Sequence, residues 1–380
     1  MIQLYNKITN IKKVLKLTDN LANTHQLRQK LQQHSEVPDN DIEAYVPYFN
    51  IKDDVDDPED TRFLAIFATK RTLSLLSKSD ILHVDATYRL NWNRYPVMIV
   101  GVSSAQGKFF GSFAVLSSHE DTEAWKEIYS FVHRQDIHPR YRMADGAQSI
   151  TKAGEEVFSD CEDCRESERL MCWSHVHRAI TPQLKSLRLL NKEVANDLLS
   201  DIEEIQWSAN NSTFSSLVNL LEEKYSSNVR LSAEVRQALN NFFTYFRSVW
   251  VGSKEHQWYE GAHIGSSNNQ GIEGKNRDIK ASHTFRSKAP LGSFCDTMLR
   301  MVHEWSLEDS SLLDGERLKI LFTQPLGLKM RTAGYSWLQD NKSNKNFAEI
   351  KVTSNLKTVL PNATKIWAVP SSKSTNHDKS

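Results

Sequence analysis

Long hydrophobic runs are missing from this sequence. No stretch of about 18 consecutive apolar residues, the length that spans a membrane, occurs among its 380 residues. The amino-terminal segment MIQLYNKITNIKKVLKLTDN is interrupted by Asn or Lys every few positions, so it lacks the apolar core of a secretory signal. We therefore predict an intracellular protein that does not associate with a membrane.

Cysteine is also scarce, with four residues in the whole chain. A disulfide framework is typical of small secreted domains that are dense in Cys, so we expect reduced thiols or metal ligands here. An excess of charge of either sign is absent too, because 47 basic residues balance 47 acidic ones. Binding to nucleic acid would therefore require a local basic surface.

The pattern of apolar residues predicts a mixed α/β core. A segment with helical spacing at 63–76 precedes three strand-like segments, ILHVDATY, YPVMIVGVSS and KFFGSFAVLSS. A helix capped by Asp121, a strand RYRMAD, a helix over 148–158 and a strand RLMCW complete the series. The order β-β-β-α-β-α-β is typical of a mixed sheet covered by helices on both faces.

The regions outside this core differ in composition. Residues 2–33 have the spacing of one or two helices. Between Asp39 and Asp60, nine Asp or Glu stand against Lys52 alone, and we interpret this stretch as a solvated connector. Helical periodicity extends over 191–250 and again from Pro290 to Trp305. The terminal segment SSKSTNHDKS is predicted to be disordered.

Three carboxylates stand out within these elements. Asp85 interrupts the apolar strand ILHVDATYRLN, Asp145 ends the fourth strand in RYRMADGAQSI, and Glu273 lies in SSNNQGIEGKNRDIK. The ends of the first and fourth strands should lie side by side, so Asp85 and Asp145 are expected to meet. Taken singly, however, a strand Asp is more often a hydrogen-bonding residue, and Glu273 four positions before Arg277 is commonly a surface ion pair.

In order and in spacing, the motifs VDATYRLN, YRMADGAQSITKAGEEVF, LMCWSHVHRAI and NNQGIEGKNRDIK resemble those of Mutator-like element (MULE) transposases. The resemblance covers roughly residues 60–305. It implies an RNase H-like fold in which Asp85, Asp145 and Glu273 form an Asp-Asp-Glu (DDE) catalytic triad. In that family a helical insertion lengthens the interval between the second and third acids, and residues 191–250 fit this insertion.

The resemblance divides the chain into five segments. These are a helical and acidic N-terminal segment (1–60), the first part of the RNase H-like core (61–190), the helical insertion (191–255), the last part of the core with the third acid (256–310) and a C-terminal extension that is partly disordered (311–380). Related transposases commonly carry zinc-finger domains at either end, but no Cys occurs before residue 61 or after Cys295. We therefore expect a fragment, a host-retained derivative or a chain that relies on another for site recognition.

A triad of this kind implies a pair of Mg²⁺ or Mn²⁺ ions, because hard divalent cations prefer carboxylate oxygens. Two such ions about 3.5 to 4 Å apart activate the attacking oxygen and neutralise the leaving oxygen of a phosphodiester. The expected activity is DNA cleavage and strand transfer by a nuclear homo-oligomer, with transposon ends and target DNA as partners. The alternatives are a transposase-derived DNA- or protein-binding module without a catalytic role, and a nuclease of the same fold with another substrate.

The cysteines offer a second metal prediction. Cys161-x-x-Cys164 followed by Cys172-x-x-His175 has the ligand number and pair spacing of a structural Zn²⁺ site, and His177 could replace His175. The Cys-x-x-His part also matches a motif of the MULE transposases that the sequence resembles. The alternative is that Cys172 packs as a small apolar residue and His175 makes a local hydrogen bond.

A basic segment follows the third acid. Five cations lie between Gly274 and Lys288 against a single acid, and we predict that they contact DNA phosphates: Lys275, Arg277, Lys280, Arg286 and Lys288. The alternative is that these cations form a solvated face of the protein, as a run of charges usually does. The preceding Asn268 and Asn269 could cap the helix or contact sugar and phosphate.

Overall fold

The structure is a computed structural model, and it describes residues 24–52, 62–104, 107–159, 167–187, 191–208, 210–228, 231–253, 257–262, 269–284, 287–313, 348–350 and 366–368. The chain divides into two compact units. The first comprises 1–186, 244–258 and 263–318, and the second comprises 187–243, 259–262 and 319–380.

The first unit contains a seven-stranded sheet. Its strands are β1 (Tyr45–Lys52), β2 (Arg62–Ala68), β3 (Ile81–Thr87), β4 (Val97–Ser103), β5 (Phe109–Ser117), β6 (Tyr141–Ala144) and β7 (Glu168–Met171). The order across the sheet is β1-β2-β5-β4-β3-β6-β7. The β3–β6 and β6–β7 pairs are parallel and the others are antiparallel. The mixed sheet predicted from the sequence is therefore confirmed.

Helices of the first unit lie on both faces of this sheet. The helices of the described residues, taken over both units, are α1 (Thr24–Gln32), α2 (Lys70–Ser74), α3 (Thr122–Arg134), α4 (Gln148–Phe158), α5 (Trp173–Ser186), α6 (Lys192–Gln206), α7 (Asn211–Ser226), α8 (Ala233–Phe246), α9 (Gln270–Asp278) and α10 (Leu291–Ser306). Short 3₁₀ segments follow at Leu75–Lys78, Glu260–Ala262 and Ser311–Leu313, and one π turn continues α8 (Arg247–Val251) and another α9 (Ile279–His283). The helices predicted over 148–158 and after Pro290 are confirmed.

Two apolar clusters form the core, one on each face of the sheet. Alternate residues of β2 belong to different clusters, because successive side chains of a strand point to opposite faces. Leu64 and Ile66 pack in the cluster that includes residues of α3 and α4. Phe63 and Ala65 pack in the cluster that includes residues of α1, α9 and α10. Burial on both faces explains why the strands of this sheet are apolar almost throughout.

Two sequence-based predictions about the first two strands are wrong. The segment 63–76, predicted to be helical, forms strand β2 and then the short helix α2. A short apolar run that is buried on both faces has no period of two, so its pattern cannot be distinguished from that of a buried helix. The acidic stretch from Asp39 to Asp60, predicted as a connector, contains the edge strand β1, whose register shifts between Tyr45 and Tyr48. Pro47 is tolerated there because an edge strand does not need every ladder hydrogen bond.

The second unit contains α6, α7 and most of α8, the helices of the predicted insertion. The pattern over 191–250 is confirmed as α6, α7 and α8. Phe214 of α7 stacks on Tyr259 with ring centroids 4.6 Å apart, and the Tyr225 hydroxyl donates to Asp201 at 2.8 Å. A two-stranded antiparallel pair, β8 (Ala348–Ile350) and β9 (Ile366–Ala368), also belongs to this unit. The predicted disorder of SSKSTNHDKS and the predicted helices before Thr24 lie outside the described residues.

No helix among the described residues is both long enough and apolar enough to cross a lipid bilayer.

Candidate active site

The parallel pairing of β3 and β6 brings the first two predicted acids together. His83 is opposite Met143 in this pair. Asp85 lies two residues further along β3, and Asp145 follows the last residue of β6. Both carboxylates therefore lie at the same edge of the sheet, as the sequence predicted. Asp85 is buried with 8% of its surface exposed, and Asp145 Oδ1 accepts a hydrogen bond of 3.0 Å from the Ala147 amide.

His175, in the first turn of α5, connects this pair to the third acid. Asp85, Asp145 and His175 each offer one potential metal-ligand atom, and these three atoms lie within 4.8 Å of one another. One donor atom each of Cys172, His175 and Glu273 also lie within 4.8 Å of one another. The three predicted catalytic acids thus lie around a single imidazole, in two overlapping groups of metal-ligand type.

A buried asparagine fixes the start of the helix that carries Glu273. Asn269, 1% exposed, donates from Nδ2 to the Val84 carbonyl of β3 at 3.2 Å. Its Oδ1 lies 2.7 Å from His83 Nδ1, and its amide donates to Cys172 Sγ at 3.1 Å. Asn269 makes no side-chain cap on α9, so of the two roles considered from the sequence it does not take the capping one. Asn268 lies outside the described residues.

The close approach of α9 to the sheet depends on a glycine. A β-carbon built at Gly271 would lie 2.5 Å from Phe109 Cβ, a separation that two carbon atoms cannot adopt without movement. At Gly274, in the same helix, the nearest atom to such a β-carbon would be Arg277 Nη2 at 3.9 Å. Gly271 therefore lets α9 pack against β5, and this packing places Glu273 at the sheet edge.

Charge repulsion and burial act together on Asp85. Burial is the main cause that raises its pKa, to about 7, and the neighbouring carboxylates of Asp145 and Glu273 raise it further. The Ala86 amide and Arg178 act in the opposite direction. This carboxyl group therefore holds its proton to a much higher pH than an ordinary Asp does.

Two histidines near the acids are held in the neutral form. Burial lowers the pKa of His83 to about 4, although its hydrogen bond with Asn269 raises it slightly. Burial also lowers the pKa of His175, and the positive charge of Arg178 lowers it further, whereas Asp145 and Glu273 raise it. The neutral imidazole is the form that binds a metal ion. Of the two, His175 belongs to the groups of metal-ligand type, whereas both ring nitrogens of His83 are hydrogen-bonded, to Asn269 and Ser103.

A fourth carboxylate near the site, Glu120, was missed from the sequence. Burial raises its pKa to about 7, and the charges of Asp145 and Asp85 raise it further. Glu120 follows β5, and β5 runs parallel to β3 because both are antiparallel to β4. The end of β5 therefore lies at the same sheet edge, and this rule points to the segment SSHED without distinguishing Glu120 from Asp121.

An open cleft of about 850 Å³ leads to the acids. It is lined by the acids Asp85, Asp145 and Glu273 and by the cations Arg89, Arg178, Arg277 and Lys280. The Asn276 side chain also lines it and donates to Asp85 Oδ2 at 2.8 Å. The cleft therefore combines a metal-ligating set with cations that could hold a polyanion.

The predicted phosphate-binding cations do not all reach this cleft. Arg277 and Lys280 line it. Lys275 instead contacts Glu308, and its ammonium lies 5.6 Å from the centroid of the Trp305 ring. Lys288 is half-buried and is not among the residues that line the cleft. Arg286 lies outside the described residues.

The zinc prediction is only partly described by the structure, because Cys161 and Cys164 lie outside the described residues. Cys172 is buried, and burial raises the pKa of its thiol. The imidazole of His175 lies with the acids, and the His177 ring packs 5.6 Å from that of Trp173. The four-ligand zinc site stays a prediction.

The donor set fits a divalent cation. It combines carboxylates with a neutral imidazole. The carboxylate oxygens suit Mg²⁺ and Mn²⁺, and the imidazole nitrogen suits transition-metal ions. Several buried polar side-chain atoms have no hydrogen-bond partner among the described residues, and buried polar groups are normally satisfied. The three near the acids are Glu120 Oε2, His175 Nδ1 and Asn276 Oδ1. A bound cation with its water ligands would supply partners for such atoms.

Comparison with known proteins adds no constraint on function. The sequence matches no protein-family model, and no curated protein shows significant similarity to it.

Proposed function

We propose that this chain is a DDE-type transposase of the MULE kind, built on an RNase H-like core, that cleaves DNA and transfers a strand in a metal-dependent reaction. The observation that carries the proposal is the convergence of Asp85, Asp145 and Glu273 around His175 at one edge of the sheet. The antiparallel β3-β4-β5 meander followed by the parallel strands β6 and β7 supports the fold assignment. Surface acids far apart in sequence do not ordinarily converge in this way.

The residues of the site have separable roles in this reaction. Asp85, Asp145 and Glu273 would hold Mg²⁺ or Mn²⁺, with His175 and Glu120 as neighbouring donors. When bound, two such ions supply an activated oxygen nucleophile and a neutralised leaving oxygen. Asp85 lies on a strand, and a rigid element holds a ligand more accurately than a loop does. The proton that Asp85 retains near neutral pH must leave before the carboxylate can act as a ligand.

The cations that line the cleft support a DNA substrate for this proposed activity. Arg89, Arg277 and Lys280 would contact phosphates, which positions a DNA strand without reading its bases. A DNA substrate and a nuclear location belong to this proposal together. Assembly into a homo-oligomer also belongs to it, because strand transfer must bring the ends of an element and the target together.

A second candidate function is a transposase-derived module that binds DNA or protein without catalysis. The observation that favours it is the ion pair between Glu273 and Arg178, since an acid already neutralised by a cation can be a structural residue. This module would keep the fold and the cleft while making no use of a metal ion. DNA binding alone does not separate the two candidates, whereas cleavage does.

The decisive experiment is a cleavage and strand-transfer assay in Mg²⁺ or Mn²⁺, with DNA cloned from either side of the gene. The variants are Asp85→Asn and Glu273→Gln, and the matched control is Glu123→Gln, an exposed acid of α3 outside the cleft. We expect activity to fall by about three powers of ten or more in the two site variants and to stay unchanged in the control. Equal activity in all four proteins would assign it to a contaminant and favour the binding module.

A further inference from the structure

The third acid of the site is in direct contact with an arginine. Arg178 Nη2 contacts Glu273 Oε1, and His175 Nδ1 lies 4.0 Å from the same oxygen. His175 and Arg178 are three positions apart on α5, so their side chains leave the helix on one side. One carboxylate oxygen thus lies between a permanent cation and an imidazole of the candidate metal site.

A divalent cation and Arg178 would compete for this oxygen. A separation of 4.0 Å between His175 Nδ1 and Glu273 Oε1 is close to two ligand bonds of about 2.0 to 2.2 Å, so the gap has room for one cation. A guanidinium on the same oxygen would place a second positive charge beside it. Like charges at such short separation repel.

The exposure of this ion pair allows its partners to separate. The side chain of Arg178 is 59% exposed and that of Glu273 is 34% exposed. An exposed pair of this kind changes an equilibrium constant by at most about fivefold, because water screens the charges. Lys275 differs, since its side chain is 16% exposed and packs against Glu308 and Trp305.

The cleft also offers a ligand chemistry to which a released Arg178 is suited. Arg178 lines the same cleft as Arg89, Arg277 and Lys280, so a polyanion held by these three cations would pass close to it. A planar guanidinium binds a phosphate group through two parallel hydrogen bonds, whereas a lysine ammonium binds as a point charge.

We infer that Arg178 is an exchangeable positioning residue that holds Glu273 while no divalent cation is bound and turns to a DNA phosphate when the cation takes its place. The inference rests on the proposed function. A cation bound to Glu273 frees Arg178 for a phosphate, and a phosphate bound to Arg178 frees Glu273 for the cation. The binding of DNA and the binding of the cation therefore favour each other, and this coupling is reciprocal.

The first test uses Mn²⁺ alone, titrated by calorimetry into the parent protein and two variants that remove the charge, Arg178→Ala and Arg178→Gln. The matched control is Lys152→Ala, which removes an exposed cation of α4 that pairs with Glu156. We expect both Arg178 variants to bind Mn²⁺ about two- to fivefold more tightly than the parent, and the control to match the parent. Unchanged or weaker Mn²⁺ binding in both variants would overturn the inference, and weaker binding would mean that Arg178 orients Glu273 for the ion.

The second test measures the coupling directly. The affinity for a fluorescein-labelled DNA duplex of arbitrary sequence is measured by anisotropy in EDTA and in Ca²⁺, which carboxylate sites also bind. We expect the gain in affinity on adding Ca²⁺ to be about two- to fivefold larger in the parent and in Lys152→Ala than in Arg178→Ala. The same gain in all three proteins would overturn the exchange.

The two tests separate this inference from the proposed function. If the parent bound Mn²⁺ no better than the double variant Asp85→Asn/Asp145→Asn, the metal site itself would be wrong, and both proposals would fail. If the parent bound Mn²⁺ better than that double variant but neither Arg178 variant bound it more tightly, only the exchange would be wrong. Circular dichroism of each variant verifies that the fold is intact.

Discussion

The Asn276 side chain of α9 donates a hydrogen bond of 2.8 Å to Asp85 Oδ2 of β3, across 191 residues of sequence. This bond restrains the first predicted metal ligand, while the oxygen of the same side-chain amide, Asn276 Oδ1, is buried without a hydrogen-bond partner among the described residues. It joins the helix that carries Glu273 to the strand that carries Asp85. The geometry of the acids therefore depends on an amide that carries no charge.

The first prediction concerns this amide. Asn276→Ala leaves Asp85 Oδ2 without its donor and lets the carboxylate rotate, so we expect the affinity for Mn²⁺ to fall by about 10- to 100-fold, as for other residues that orient a metal ligand. Calorimetric titration measures the change. Asn50→Ala is the matched control, because Asn50 donates to Glu127, which lies outside the cleft. Equal losses in the two variants would show that the bond to Asp85 has no special role.

The second prediction follows from the raised pKa of Asp85, which is about 7 in the folded protein against an ordinary value of 3.8. Between these values the folded state binds a proton that the unfolded state has released, so the free energy of unfolding falls as the pH rises from about 4 to 7. Asp85→Asn removes this contribution. In EDTA, we expect the variant to gain about 2 to 4 kcal/mol over the parent between pH 4 and pH 8, measured by urea unfolding.

Comparing the variant with the parent cancels the contribution of the buried histidines, which has the opposite sign. His83, with a pKa lowered to about 4, stabilises the fold increasingly as the pH rises toward its unfolded value, in both proteins alike. Saturating Mg²⁺ should reduce the difference between the proteins at pH 8, because the ion neutralises the carboxylate. A difference that did not change with pH would contradict the raised pKa of Asp85.

The third prediction concerns Glu120. Its carboxyl group also has a pKa raised to about 7, by burial and by the charges of Asp145 and Asp85, so Glu120→Gln should stabilise the metal-free protein at pH 8 by about 1 to 3 kcal/mol. The double variant Asp85→Asn/Glu120→Gln should gain less than the sum of the single variants, because each change relieves part of the same repulsion. Strict additivity in urea unfolding would place Glu120 outside the acidic cluster.

The fourth prediction uses the two glycines of α9. Gly271→Ala brings a β-carbon to within 2.5 Å of Phe109 Cβ unless the helix moves, so we expect a loss of stability of about 1 to 3 kcal/mol and weaker Mn²⁺ binding as Glu273 shifts. Gly274→Ala, whose nearest neighbour is the mobile end of Arg277 at 3.9 Å, should instead stabilise the helix by about 0.5 to 1 kcal/mol. Thermal unfolding compares the two. Similar effects from both variants would mean that the contact with Phe109 does not position α9.

The elements of the core from β3 onward were readable from the sequence because each has a local signal, whereas β1 and β2 were not. Asp121 accepts the capping hydrogen bond that its position before α3 predicted, and Trp125, Ile128 and Tyr129 are buried as the helical spacing required. The neighbouring ends of β3 and β6 followed from the order of strands alone. These properties depend on residues close in sequence, and periodicity records them directly.

The tertiary structure decided the properties that depend on distant residues. Glu120, Asn269 and Asn276 have no local pattern that marks them, and their roles arise because the sheet edge brings β3, β5, α5 and α9 together. The pairing of Glu273 with Arg178 rather than with a cation of its own helix is another such property. The sequence determined which elements form and in what order, since backbone preference and apolar period are local. The local charge, the burial of a side chain and the geometry of the ligands all depend on neighbours in space, and only the folded chain defines those neighbours.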